Sequence, residues 1–234
     1  MVRLATEPAP DERTALCRHT AFFDRNGDGL VTIGEVVERL RLLGCSDAYA
    51  SVNAVGGMLA RSTTDGLLAH DVVVAHSHRG QFRCPHLSGE TRIFDRDGRF
   101  DAARFDEVLA RYGRAGVDGL TESDIAAMIA DISVPGTVGR SSSTLAFRLL
   151  LTIAGEPGPG GELILTRARL RAFYEGDLLP ALMSGAVDAT RGLRTRANRE
   201  PIARTCAGIM IGATRVIRTH MRRLFRAIRR PPLA

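Results

Sequence analysis

The chain has 234 residues, 44% hydrophobic and 25% charged, with a formal net charge of +6. This length suits one ordinary domain, with or without an appendage, and the composition is that of a chain able to bury a core. Four scattered cysteines without a C-x-x-C pair argue against a disulfide scaffold, a zinc finger and a covalently attached c-type haem. We find no apolar run long enough for a simple transmembrane helix and no signal peptide, so we expect an intracellular location, cytoplasmic or peripheral to a membrane.

The basic charge is concentrated near the C-terminus. All 32 basic residues are Arg, and residues 186–234 contain twelve of them against Asp188 and Glu200, a net charge of +10. Residues 1–185 therefore carry a net charge of −4. We accordingly divide the chain into a main domain, 1–185, and an Arg-rich tail, 186–234.

The most informative motif is DRNGDGLVTIGE at residues 24–35, here called the acidic loop. It fills every ligand position of the twelve-residue EF-hand calcium loop and has Gly29 at the sixth position, where the chain must turn sharply. Val31, at the eighth position, is expected to pack inward. A merely polar turn would need neither this apolar residue nor a final glutamate. The predicted calcium ligands are Asp24, Asn26, Asp28, Leu30 through its carbonyl, Thr32 and Glu35.

Helical periodicity dominates the remainder of the chain. Helices over 11–23 and 33–43 flank the acidic loop, and a short β-like run follows at 72–74. Further helices are predicted over 101–112, 121–132, 144–154, 166–183 and 203–230, with turns at 94–98 and 157–162 and a linker at 135–143. The predicted fold is mainly α: a single EF-hand, then a helical domain with little or no β-structure, and a basic amphipathic C-terminal helix.

A second acidic cluster, DRDGRFD at 95–101, resembles part of a calcium loop. Placing Gly98 at the sixth position puts Ile93 first and Arg104 last, and neither residue can ligate calcium. We interpret this cluster as a turn. Because calmodulin-like sensors use paired EF-hands and only one is intact here, a sensor of that kind is disfavoured.

The predicted helix over 203–230 carries apolar residues on one face and a row of Arg on the other. Such a helix suits an anionic membrane surface, where each Arg contributes on the order of 1 kcal/mol. The alternative is an ordinary amphipathic helix docked on the acidic main domain. Nucleic-acid binding is not expected, because the tail has one aromatic residue and no base-reading motif.

Four stretches, in order, resemble the caleosin or plant-type peroxygenase family. HTAFFDRNGDGLVTIGE at 19–35 resembles that family's opening, in which a histidine precedes AFFD and a single EF-hand loop. HLSGETRIFDRDGRF at 86–100, with one extra residue, and the helical segment at 105–129 resemble its following blocks. FYEGDLL at 173–179 resembles its late motif, so the likeness covers about residues 13–180.

The resemblance implies a calcium-dependent haem protein. Caleosins carry haem b on two histidines and use an organic hydroperoxide to oxygenate unsaturated fatty acids. Carried over by motif, the axial and catalytic histidines are His19 and His86, and neutral imidazole is an ordinary ligand of haem iron. His76 and His78 remain alternatives to His86, because they lie in the same poorly patterned stretch.

One departure from the family concerns the membrane anchor. Residues 46–84 contain no proline and are interrupted by charges, so the usual proline-knot hairpin, and with it the anchor for lipid-droplet insertion, is missing. The leading functional hypothesis is a peroxygenase acting on unsaturated fatty acids or similar lipids. The alternative is a non-enzymatic calcium-binding protein that docks on a membrane or a partner.

Overall fold

The computed structural model describes residues 14–45, 50, 71–73, 91–95, 97–133, 138–158 and 160–187. Within these ranges the protein is mainly helical, as the sequence predicts. The helices are α1 (Ala15–Ala21), α2 (Ile33–Leu42), α3 (Ala102–Tyr112), α4 (Glu122–Ile132), α5 (Val138–Ala154), α6 (Arg167–Glu175) and α7 (Leu178–Ser184). The strands are β1 (Leu30–Thr32), β2 (Asp71–Val73), β3 (Gly119–Thr121), β4 (Glu156–Pro157) and β5 (Leu163–Thr166).

The helices begin where side chains can satisfy the first backbone N–H groups. Asp101 accepts the N–H of Arg104 and starts α3, as predicted. Thr121 and Asp124 form a reciprocal capping box at α4, in which each side chain accepts the other residue's N–H. These local signals explain why the predicted bounds of α3 and α4 are confirmed to within a residue.

The β-structure consists of two small antiparallel sheets. In the first, β1 pairs with β2, with Val31 opposite Val72. In the second, β5 lies between β3 and β4, with Leu120 opposite Leu165. Each strand has only two to four residues, which agrees with an expectation of little β-structure. Of these strands, the sequence pattern indicated only the one near residue 72.

Two predicted boundaries are wrong. The helix expected over 166–183 is divided into α6 and α7, because Gly176 adopts a left-handed conformation (φ +88°) that ends α6. The linker expected over 135–143 is helical from residue 138 onward. Small polar residues favoured a linker, but the Thr144 hydroxyl bonds back to the carbonyl of Arg140 inside the helix, at 2.8 Å.

One main hydrophobic core joins α2 through α7. It includes seven side chains that are each at most 2% exposed: Ile93, Leu120, Met128, Ile153, Leu165, Leu170 and Leu178. A smaller cluster under the acidic loop joins Cys17 of α1 to Val31 of β1, with Phe23 and Val36 against it. Val31 is 3% exposed, so its predicted inward packing is confirmed. The acidic loop is thereby attached to the helix that precedes it.

Several predictions fall outside the described residues. These are the second histidine (His86, or its alternatives His76 and His78), the basic helix at 203–230, and the tail from residue 188 onward, so that the division into a main domain and a tail is not tested. They stay predictions. No helix in the described part of the chain is both long enough and apolar enough to cross a membrane.

Candidate functional site

The acidic loop is shaped by hydrogen bonds from its own backbone. The Asp24 carboxylate accepts the N–H groups of Gly27 and Gly29, both at 2.9 Å. Asn26 and Asp28 each accept the N–H two residues further on, at 3.0 and 2.8 Å. Gly29 has φ +84°, the left-handed conformation expected for the sharp turn at this position. The loop therefore folds around the polar side chains that the sequence predicts as ligands.

Glu35 joins the two ends of the loop. One carboxylate oxygen accepts the N–H and the O–H of Thr32, both at 2.9 Å, and the other accepts the N–H of Arg25 at 3.0 Å. Partial burial opposes ionisation of this carboxyl, but the hydrogen bonds from Thr32, Arg25 and Asn26 outweigh it and lower its pKa below the ordinary value. Glu35 is consequently a carboxylate at neutral pH, the state that binds a cation.

The donor set of the acidic loop fits calcium. Calcium takes six to eight oxygen ligands, and the six predicted ligands supply carboxylate, amide, hydroxyl and backbone carbonyl oxygens. A carboxylate has about four acceptor sites, so the hydrogen bonds to the backbone leave lone pairs available for an ion. In the described ranges, no three His, Cys, Asp or Glu side chains converge as a metal-binding group.

His19 lies in the last turn of α1, five residues before the first acidic ligand. Its half-buried imidazole meets two aromatic rings edge-on. The ring centroids are 4.7 Å apart for Phe173 and 6.1 Å apart for Phe23. Two edge-on aromatic contacts of this kind fix the orientation of the imidazole. His19 is the one predicted haem ligand whose surroundings the described structure shows.

The segment after α6 holds α1 in place. The guanidinium of Arg18 donates two hydrogen bonds to the carbonyl of Glu175, at 3.1 and 2.7 Å, and lies 3.9 Å from a carboxylate oxygen of Asp177. A Cβ atom on Gly176 would lie only 2.9 Å from the Cβ of Arg18 and 3.0 Å from the backbone nitrogen of His19. Glycine is thus required here both by its backbone conformation and by the closeness of α1.

Tyr174, in the FYEGDLL motif, is buried, with 7% of its surface exposed. Its hydroxyl lies 3.2 Å from that of Thr91, and its ring meets Phe94 and Phe105 at 5.5 and 6.3 Å between centroids. Burial raises the pKa of this phenol to about 12, although the hydrogen bond to Thr91 partly offsets the effect. Tyr174 therefore attaches the segment before α3 to α6 as a neutral hydrogen-bonding group.

A cleft of about 550 Å³ lies beside the N-terminal part of α1. Four of its lining side chains are ionisable: Arg18, Arg99, Glu175 and Asp177. A site for an acyl chain should be predominantly apolar. This cleft does not have the chemistry expected for a lipid substrate, and we do not assign one to it.

The sequence located the acidic loop, His19 and the FYEGDLL motif, but not the contact between that motif and α1. Arg18 and Gly176 are 158 positions apart, and only the folded chain brings them together. One signal was available. A glycine followed by aspartate interrupts a helical pattern at 176–177 and indicates a helix end.

The fold and the site define a mainly helical protein in which a histidine-bearing helix runs directly into a loop rich in side-chain oxygens. A family profile described as "Caleosin related protein" matches residues 11–182, and the chain therefore belongs to the caleosin family.

Among curated proteins, the chain is similar to probable peroxygenase 4 of Arabidopsis thaliana, with 27% identity over 180 residues, which cover 74% of this chain and 87% of that protein. It is 26% identical to a peroxygenase of Lilium longiflorum over 184 residues, 76% of this chain and 73% of that one. A probable inactive peroxygenase-like protein of Arabidopsis thaliana is 30% identical over 93 residues, 39% of this chain and 43% of that protein. No solved structure matches the chain.

The contact at Gly176 can be tested with two glycines of similar conformation. We expect Gly176→Ala to destabilise the protein by at least about 1 kcal/mol more than Gly185→Ala, measured by urea unfolding. Both have positive φ, but a Cβ on Gly185 meets nothing within 4 Å, whereas one on Gly176 overlaps α1. Equal losses in the two variants would show that α1 does not depend on this close approach.

The buried phenol predicts a dependence of stability on alkaline pH. A pKa raised to about 12 in the folded chain, from 10.0 in the unfolded chain, gives stability that is complete below pH 10 and is lost as the pH rises toward 12. Tyr174→Phe should remove this part of the decline in unfolding free energy, while losing about 1 kcal/mol at neutral pH with the hydrogen bond to Thr91. Parallel curves for the two proteins above pH 10 would contradict the assignment.

Proposed function

We propose that this chain is a calcium-binding caleosin-type peroxygenase that transfers oxygen from a hydroperoxide to unsaturated fatty acids or similar lipids. The single observation that carries the proposal is the continuity of α1, whose last turn holds His19 and which leads within three residues into Asp24. Family membership and the similarity to peroxygenases support the same reaction class.

In this proposal the acidic loop is a single EF-hand that binds one calcium ion through Asp24, Asn26, Asp28, the Leu30 carbonyl, Thr32 and Glu35. Glu35 serves as the two-oxygen ligand at the end of the loop. Since the side chain of Glu35 already reaches the backbone of Arg25 and Thr32, its carboxylate lies between the start and the end of the loop. An ion bound there would stiffen the connection from α1 to α2.

Haem b would be held by His19 and, by family resemblance, His86, and when bound it supplies the transfer of an oxygen atom from an organic hydroperoxide. The chain's own part is to fix the imidazole of His19. Phe173 and Phe23 flank this ring, and the Arg18–Glu175 hydrogen bonds hold its helix. These contacts limit the positions that the imidazole nitrogens reach.

A non-enzymatic calcium-binding protein is the second candidate. The observation that favours it is the similarity to a relative named as a probable inactive peroxygenase-like protein. In that case the acidic loop would bind calcium and organise the helical domain, and the aromatic surroundings of His19 would be ordinary core packing. The two candidates share the calcium site and differ in the haem.

The calcium site is tested by titration calorimetry on the full chain. Glu35→Gln should lower calcium affinity at least about tenfold, because the loop loses a two-oxygen ligand and a negative charge. Glu107→Gln is the matched control, since Glu107 is an exposed carboxylate on α3 that pairs with Arg104, far along the chain from the loop. Equal calcium affinities for the wild type and Glu35→Gln would show that the acidic loop is not the calcium site.

The haem is tested by the absorption spectrum of purified protein reconstituted with haem. We expect a Soret band that His19→Ala shifts or removes, and that His220→Ala, a histidine without motif support, leaves unchanged. Calcium binding by His19→Ala serves as the control for folding. Calcium binding without any Soret band in the wild type would favour the non-enzymatic candidate.

A further inference from the structure

The described structure contains a local arrangement that occurs three times. In each case a short strand ends on a threonine that caps the following helix, and its hydroxyl accepts the N–H three residues further on. The threonines are Thr32, Thr121 and Thr166, and their N–H partners belong to Glu35, Asp124 and Arg169, at 3.2, 3.2 and 3.4 Å. By this register, Asp124 and Arg169 occupy the place that Glu35 has at the end of the acidic loop.

The strand pairing supports the same correspondence. Val31, at the middle of β1, lies opposite Val72 in β2, and Leu120, at the middle of β3, lies opposite Leu165 in β5. The segment from α3 to α4 and the segment from α5 to α6 thus form a second pair of helix–loop–strand–helix units. It is called the second pair here because the unit of α1, the acidic loop, β1 and α2 precedes it in the chain.

Each loop of the second pair lacks side-chain oxygens at several of the positions that bind calcium. When Asp124 is placed at the twelfth position, the first, third and fifth positions are Gly113, Ala115 and Val117, which have no side-chain oxygen. A Cβ on Gly113 would lie 2.6 Å from the carbonyl oxygen of Leu109, so a larger side chain there needs a shift of the backbone. In the last loop, the twelfth position is Arg169, which repels a cation.

In each unit of the second pair, an arginine side chain connects the start of the exit helix with residues at or just after the end of the entry helix. The guanidinium of Arg114, just after α3, donates to the hydroxyls of Thr121 and Ser123 at 3.2 and 2.6 Å. It also lies 3.5 Å from carboxylate oxygens of both Asp124 and Glu162. Since the Asp124 side chain is only 11% exposed, this nearby positive charge balances a largely buried carboxylate.

In the last unit, Arg169 connects the exit helix α6 back to the end of the entry helix α5. Its side chain starts in the first turn of α6 and reaches back to the end of α5, where it donates to the carbonyl of Ala154 at 2.8 Å. It also pairs with Glu156 at 2.6 Å, and its side chain is 16% exposed. In both units, therefore, an arginine joins the exit helix to the region that follows the entry helix.

We propose that residues 102–175 form a second EF-hand-like pair that is independent of calcium because Arg114 and Arg169 take the place of the ion. Calcium then acts on the acidic loop alone. The second pair stays assembled at any calcium concentration, and α6 provides a fixed surface against which α1 packs. Only the regulatory consequence rests on the proposed calcium site, because the arginine contacts hold whether or not the acidic loop binds the ion.

The experiment compares Arg114→Gln with Arg111→Gln in the full chain, by thermal unfolding with excess chelator. Arg111 is a matched control, since it also pairs with an aspartate, Asp131 at 2.7 Å, but on an exposed helix surface. We expect Arg114→Gln to lower the melting temperature by about 3–6 °C and Arg111→Gln by about 1 °C or less. Arg114→Lys keeps the charge but loses the forked geometry, and should lie between Arg114→Gln and the wild type.

Calcium titration of Glu35→Gln supplies a test that does not depend on the folding of any arginine variant. We expect no calcium equivalent of wild-type affinity in this variant, because the acidic loop is weakened and the second pair has no site. A calcium equivalent whose affinity is unchanged by Glu35→Gln, or equal melting of Arg114→Gln and Arg111→Gln, would overturn the inference. If the wild type itself binds no calcium while Arg114→Gln melts early, the proposed calcium site fails and the replacement by arginine stands.

Discussion

The close packing of α1 against the end of α6 is the constraint on which the rest of the structure depends. Gly176 allows it, since the backbone of α1 occupies the space that a Cβ would need. Arg18 then hydrogen-bonds the carbonyl of Glu175, and Phe173 meets the ring of His19. Because α1 leads directly into the acidic loop, a displacement of α1 changes the surroundings of His19 and the start of the loop together. The candidate haem ligand and the candidate calcium site are therefore coupled mechanically.

The acidic loop and the second pair stabilise a carboxylate of the exit helix in different ways. A nearby positive charge stabilises a largely buried carboxylate in an exit helix. In the acidic loop, hydrogen bonds keep Glu35 ionised, and the other proposed ligands are also oxygen atoms of the kind that bind calcium. Around Asp124, the guanidinium of Arg114 supplies the charge internally. One half can thus respond to calcium while the other supports it.

The sequence predicted what local chemistry determines. The starts of α3 and α4 depend on caps within a few positions, Asp101 and the Thr121–Asp124 capping box, and the predicted bounds of these helices agree with the structure. The sequence did not predict the division of the last helix at Gly176, the start of α5 at Val138, or the strands β3 to β5. Strands of two to four residues have too little periodicity to detect. The sequence analysis did not single out Arg114, whose partners Thr121 and Glu162 are brought together by the pairing of β3 with β5.

The central claim is that calcium acts on the acidic loop alone, because Arg114 and Arg169 take the place of the ion in the second pair. Hydrogen–deuterium exchange of backbone amides, measured on the full chain with and without calcium, tests it most directly. The account predicts slower exchange with calcium in residues 24–35 and in α1 and α2, and unchanged exchange in β3 and β5. Calcium-dependent protection in β3 and β5, or unchanged exchange in the acidic loop, would contradict it.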